Sequence, residues 1–263
     1  MAATHYLLAN AASQAGDRFA ALSAIFDPVT FAHIDAIGIC AGWRCWEVGA
    51  GGSSVPRWMA GRVGGTGQVV ATDIDVSWLD GVGAGVDVRR HDVATDEPPG
   101  DGFDLVHARL VLVHVAARDE ALRRMISALR PGGWLIVEDF DTALVPASCL
   151  EATTADQQRA NRIRQGFRHL LAGRGVDLEY GRKLPRLLRD GGLEAIAADA
   201  YFAVANPACR QLERANTAQV AAALVDGGWA TPSEIDEHLD VLDRGELDIA
   251  TPPLISAWGR RPP

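Results

Sequence analysis

The stretch Cys45-Trp46-Glu47-Val48-Gly49-Ala50-Gly51-Gly52-Ser53-Ser54 carries the strongest chemical signal in the chain. An apolar run ends in an acid, glycines and small residues follow at once, and Val55 to Val63 reads as a helix. The pattern predicts a strand, a tight turn and a helix N-terminus. Glycine allows φ > 0 and close approach of a ligand to the backbone. The helix start adds free N–H groups and a partial positive charge, which suit a carboxylate or phosphate. A nucleotide-type cofactor is the ligand class indicated. Acids end later apolar runs at Asp73, Asp75, Asp92, Glu138, Asp139 and Asp141, and such a carboxylate can accept hydrogen bonds from a pair of hydroxyls. His107 and His114 lie in a further apolar stretch, and imidazole titrates close enough to neutrality to act as a general base.

The loop does not fit a dinucleotide. That fingerprint places glycines at the first, third and sixth positions. Gly49 and Gly51 match, but Ser54 occupies the sixth. Lys183, the only lysine, stands three residues after Tyr180 rather than four, so no Tyr-x-x-x-Lys pair exists for hydride chemistry.

Alternating strands and helices must position these groups. Arg44–Val48, Gly67–Asp75, Val86–Val93 and Phe103–Ala108 read as strands one to four. Arg118–Leu129 reads as an amphipathic helix. Leu129-Arg130-Pro131-Gly132-Gly133 then ends that helix and starts strand five, which runs to the acids Glu138, Asp139 and Asp141. Upstream, Tyr6 to Ile25 has helical spacing, and a second helix is expected over Val29–Ile39, with Asp27 as cap and Pro28 at the first position. Asp75 is expected to cap a helix after strand two, and Ser53 to cap the helix after the loop. A polar helical insert is expected over 147–172, helices over 181–190, 208–224 and 232–242, a sixth strand over 193–204 and a last strand over 254–259.

The bulk properties narrow the function. The 263 residues suit a single domain with a small lid. A formal charge of −9 argues against a nucleic-acid partner, whose phosphates need clustered Lys and Arg. Cys40, Cys45, Cys149 and Cys209 show no CxxC spacing, which predicts reduced thiols in a cytoplasmic protein. No basic leader and no apolar run long enough to span a membrane are expected.

The series Glu47-x-Gly49-x-Gly51-x-Ser53, Asp73 after strand two, Asp92 after strand three, and Leu-Arg-Pro-Gly-Gly before strand five resembles the class I S-adenosylmethionine (SAM)-dependent methyltransferases, in particular their small-molecule branch in bacterial secondary metabolism. The resemblance covers residues 44–141 and departs from the usual pattern at Ser53, where a third glycine is customary. It implies an α/β, Rossmann-like, doubly wound sheet of seven strands, mostly parallel with an antiparallel last strand, as one methyltransferase domain over 1–263, with a helical lid over 1–40. SAM is the implied cofactor and S-adenosylhomocysteine (SAH) the product. Gly49, Ala50, Gly51 and Ser53 would cradle the methionine part and Glu47 its ammonium, directly or through water. Asp73 would take the ribose hydroxyls. Ile74 would flank the adenine, while Asp92 and the Val93 N–H would meet its edge. Backbone at Ala108 and Arg109 would also hold SAM. His114, then His107, are the candidate bases, and Tyr6, Glu138 and Asp139 the candidate acceptor contacts. No metal set is complete. The insert serves either specificity or a homodimer face.

The chemistry implied is in-line methyl transfer to O, N or C of a small-molecule acceptor. Two other readings share the fold: a C-methylation that triggers cyclisation or rearrangement, and a partner subunit that holds SAM without turnover.

Overall fold

The computed structural model describes residues 7–8 and 15–263. In chain order the elements are α1 (Ala15–Ala36), β1 (Arg44–Val48), α2 (Ser54–Val63), β2 (Gln68–Asp73), β3 (Val86–Arg90), β4 (Phe103–Arg109), α3 (Arg118–Ala128), β5 (Leu129–Phe140), α4 (Ala155–Gly173), α5 (Leu184–Asp190), β6 (Glu194–Tyr201), α6 (Pro207–Asp226), α7 (Pro232–Arg244) and β7 (Leu254–Arg260). A 3₁₀ turn, Leu112–His114, follows β4. The chain divides into two compact units. The sheet unit takes Asp27–Phe140, Tyr180–Tyr201 and Leu254–Pro263; the helical unit takes the described residues up to Phe26, with Asp141–Glu179 and Phe202–Pro253.

The sheet order is β3-β2-β1-β4-β5-β7-β6. The first six strands run parallel and β7 is antiparallel to both neighbours, the Rossmann-like sheet that the loop and acids implied. The order reverses between β1 and β4, where ligands of open α/β sheets bind beyond the carboxyl ends.

Strand alternation sorts the side chains into two faces. Cys45, Leu105 and Ile136 point to one face and form a core with Ile34 of α1, Val55, Met59 and Val63 of α2, and Val69. Phe31 of α1 stacks on Trp58 of α2, with ring centres 4.4 Å apart and the planes 1° from parallel. Two residues further along the same strands, on the same face, stand Glu47, His107 and Glu138. The face that is apolar at mid-sheet therefore becomes ionisable at its carboxyl end.

Several sequence expectations are corrected. The two expected N-terminal helices are one, since α1 runs through Pro28. Asp27 does not cap a new helix because its carboxylate accepts a hydrogen bond from Arg109 at 2.8 Å, so the helix continues and forgoes the backbone bond that proline cannot donate. No helix lies between β2 and β3 among the described residues. Gly81, Gly83 and Gly85 have φ of +70°, +108° and +91°, which a right-handed helix cannot hold, and Asp75 closes a local turn onto the Ser77 N–H at 3.1 Å instead. Ser53 makes no side-chain cap on α2. Strand five begins at Leu129, earlier than the Pro-Gly-Gly signal suggested. The register jumps from Phe103↔Leu129 to Leu105↔Trp134, so Pro131 and the glycines sit in a bulge.

In the helical unit, α4, α6 and α7 pack around Ile163, Val220, Leu224, Ala230 and Ile235, together with Leu8. Thr154 and Thr231 close capping boxes on α4 and α7. Buried Arg164 and Glu213 pair at 2.5 Å between α4 and α6.

Candidate active site

The loop after β1 has a conformation that its glycines impose. Gly49 and Gly51 both have φ of +61°. A Cβ on Gly49 would also come 2.4 Å from Val111 Cγ2, so a side chain is excluded there on two grounds. The loop is tied to the end of β2: the Ala50 N–H donates to the Thr72 carbonyl at 2.9 Å, and the Gly51 N–H to Asp73 Oδ2 at 2.8 Å. Asp73 Oδ1 accepts the Asp75 N–H at 2.9 Å. Asp73 is buried, and burial, against those backbone donors, pushes its carboxyl up from the ordinary range. Beside it Ile74 is 44% exposed, next to a shallow hollow lined by Ile74, Asp75, Val76 and Arg90. Asp92 follows β3 and accepts the Ala94 N–H at 2.9 Å, with Val93 buried behind it. The His91 N–H donates to the Asp73 carbonyl at 2.9 Å, which joins these two stations. Glu47, Asp73 and Asp92 thus stand at the carboxyl ends of three adjacent parallel strands.

The other half of the site is a buried acid–imidazole network, which sequence reasoning did not assemble. His107 and Glu47 are register partners on β4 and β1, as are Arg109 and Glu138 on β4 and β5. His107 Nδ1 lies 2.6 Å from Glu47 Oε2, and its Nε2 lies 3.4 Å from Glu138 Oε2. Glu138 accepts hydrogen bonds from Thr30 Oγ1 at 2.5 Å and Ser256 Oγ at 2.8 Å, and His33 Nδ1 lies 3.1 Å from its Oε1. Its four acceptor positions are filled from within the sheet unit. His33 Nε2 reaches Asp199 of β6 at 3.0 Å. Arg109 donates to Thr30 at 2.9 Å and to Asp27 at 2.8 Å.

Electrostatics follows from this packing. Burial opposes charge on His107, but the Glu47 and Glu138 carboxylates outweigh it and hold the imidazole up at about 9. Burial would raise Glu138, yet its bonds to His107 and His33 hold it far below the carboxylate range. Glu47 is raised by burial, with His107 opposing. Its Oε1 has no partner among the described residues, and its side chain keeps 3% exposure.

These positions revise the expected roles. His107 is fully buried and both ring nitrogens face carboxylates, so it has no nitrogen left for an acceptor molecule. Glu138 is likewise enclosed and saturated. Asp139 is buried on the opposite face, near the backbone of Leu112 and Val113, without a well-formed hydrogen bond to either oxygen. Burial raises its carboxyl well above the ordinary value. His114 ends the 3₁₀ turn after β4 and is only part-buried. Ala108 is buried and Arg109 part-buried at the end of β4. Tyr6 lies outside the described residues. A faint signal for the network did exist: Asp27, Thr30 and His33 recur at three-residue spacing, which puts them on one side of a helix.

A family profile described as a methyltransferase domain matches residues 9–198, well over half of the chain. The chain belongs to the methyltransferase domain family. This methyltransferase domain is 33% identical over 116 residues to the ubiquinone/menaquinone biosynthesis C-methyltransferase UbiE of Pseudomonas aeruginosa, a match covering 41% of this chain and 45% of the relative. The same enzyme from Pseudomonas putida matches equally, at 33% over 116 residues. The chain spans less than half the length of these curated relatives. Among solved structures, phosphoethanolamine N-methyltransferase 2 of Haemonchus contortus, in complex with phosphomonomethylethanolamine and SAH, superposes with a TM-score of 0.60 at 15% identity. That superposition covers 100% of this chain and 61% of the other. A methyltransferase from an antibiotic biosynthesis pathway of Anabaena variabilis superposes with a TM-score of 0.61 at 13% identity, covering 88% and 96%. At these identities the structural likeness shows the shared fold.

Proposed function

We propose that this chain is a SAM-dependent methyltransferase of a small-molecule acceptor. The observation that carries the reading is the row of acceptor groups Glu47, Asp73 and Asp92 at the carboxyl end of adjacent strands, around a loop that two left-handed glycines shape. The residues present fit the cofactor. Each Asp73 oxygen keeps a lone pair beyond its backbone donor, which suits a ribose diol. Glu47 Oε1, without a partner among the described residues, suits an ammonium. Exposed Ile74 suits a ring face, and Asp92 with the Val93 N–H suits the adenine edge. Gly49, Ala50, Gly51, Ser53 and the backbone at Ala108 and Arg109 would hold the methionine part.

Bound SAM supplies an already activated sulfonium methyl. The chain's own part is to orient the acceptor and keep water away. His114 is the residue we assign to take a proton where the acceptor must lose one, because His107 is enclosed. Tyr6 stays an acceptor contact in this reading, whereas Glu138 and Asp139 belong to the scaffold. The setting we infer is a homodimer in the bacterial cytoplasm, in secondary metabolism.

Carbon as the methylated atom is the variant favoured by the curated relatives, which are C-methyltransferases. The test is incubation with methyl-labelled SAM and acceptors offering O, N or C nucleophiles, with mass spectrometry of SAH and product. The expected result is stoichiometric SAH and one labelled methyl on the acceptor. A labelled product with a rearranged skeleton would favour the cyclising variant. SAH binding with no turnover on any acceptor class would favour the non-catalytic subunit.

A further inference from the structure

We infer that His33 is a positioning residue for the cofactor site: its doubly hydrogen-bonded imidazolium fastens the Asp27–Ala36 part of α1 to β5 and β6, and through that helix holds Arg109 and Glu138 at the ends of β4 and β5. The inference rests on the methyltransferase reading of that site. Three residues of one helix stretch make the attachment. Asp27 and Thr30 both accept from Arg109, Thr30 donates to Glu138, and His33 bridges Glu138 Oε1 at 3.1 Å and Asp199 Oδ2 at 3.0 Å. The His33 ring also lies against Trp258 of β7, with centres 5.0 Å apart.

The bridge needs the charged form of the ring. A neutral imidazole has one N–H and one lone pair. With a carboxylate at each nitrogen, deprotonation would turn one hydrogen bond into two lone pairs facing each other. The carboxylates around His33 favour the proton: Glu138 from β5 and Asp199 from β6 are in contact, with Glu47 of β1 further back. His107 and Arg109 of β4 are the opposing cations, and Glu138 and Asp27 pair with them. Burial lowers the His33 value, and the two carboxylates more than offset it, so the net direction is upward. Asp199 is 53% exposed, so the bridge is open to solvent protons at that end. A raised imidazole supports the attachment fully below its ordinary value of about 6.5 and loses it as pH climbs through the raised one.

The experiment is calorimetric titration of the full chain with SAH between pH 6 and pH 8.5, for wild type, His33→Gln and Asp199→Asn, with amide hydrogen exchange of residues 27–36 measured in parallel. The expected result is wild-type affinity that falls at least about fivefold as His33 deprotonates, the lower end of coupling between linked sites. His33→Gln should be flat with pH, at the weak level. Asp199→Asn, a half-exposed change that leaves the core alone, should move the step to lower pH. Exchange of 27–36 should quicken at the same pH in wild type. An unchanged pH step in His33→Gln, or no step in wild type, overturns the inference. A normal exchange step with no SAH binding at any pH would instead overturn the cofactor reading beneath it, because the attachment would stand without the ligand.

Discussion

Asp73 is the most informative single residue. Its two oxygens already fix the loop through the Gly51 and Asp75 N–H groups and remain able to accept a diol. Asp73→Ala should weaken SAH binding by about 1–3 kcal/mol, the cost of losing a charged hydrogen-bond set, and calorimetry reads it directly. Gly49→Ala should be worse for the fold, because φ of +61° and the Val111 contact both resist a methyl group. A loss of about 1–3 kcal/mol in chemical denaturation is expected. Asp139 makes the opposite prediction. A buried carboxyl whose value is raised costs stability at every pH above its unfolded value, so Asp139→Asn should raise Tm more at pH 8 than at pH 5. The acids and glycines of the loop were legible in the sequence because local chain geometry places them. The network was not. Glu138 follows Leu135-Ile136-Val137, and nothing local tells that Thr30 and His33 of α1, His107 of β4 and Ser256 of β7 will fill its acceptors, since all of them arrive from elements distant in the chain.

At the scale of elements, β1, β4 and β7 were readable almost to the residue because hydrophobic runs bounded by turn residues mark them. The misreadings have local causes. Asp27-Pro28 carries the signature of a helix start, but Arg109, 82 positions away, claims the aspartate, and α1 passes through. Pro28→Ala should therefore stabilise the protein, by about 1–3 kcal/mol, because it restores a helix-interior hydrogen bond; thermal unfolding checks it. After β2 the sequence offers an acid that resembles a cap, yet the left-handed Gly81, Gly83 and Gly85 forbid the helix. Among elements of the sheet unit, Glu138 ties β5 to α1, β4 and β7. Replacing it with Ala would strand the cations around it, and a loss of about 3–5 kcal/mol is expected.

For the whole molecule, the buried ionisable groups set a pH profile whose sign is uniform above neutrality. His107, raised to about 9, stabilises the fold fully below about 6.5 and loses that contribution as pH rises through 9. Glu47 and Asp139, both raised by burial, cost more stability over the same direction of change. Glu138, held low, contributes above about 4.5 and loses its contribution as acid is added. Tm should peak between about pH 4.5 and 6.5 and fall towards pH 9.5, and His107→Gln should flatten the alkaline fall. The carboxyl end of the sheet between β3 and β5 is the SAM site we propose. Calorimetric titration of the full chain with SAH, at pH 6.5 and with NAD as control, tests it most directly. The expected result is micromolar SAH binding that Asp73→Ala weakens, and no binding of NAD. SAH binding that a folded Asp73→Ala protein leaves unchanged, or NAD binding in its place, would contradict it.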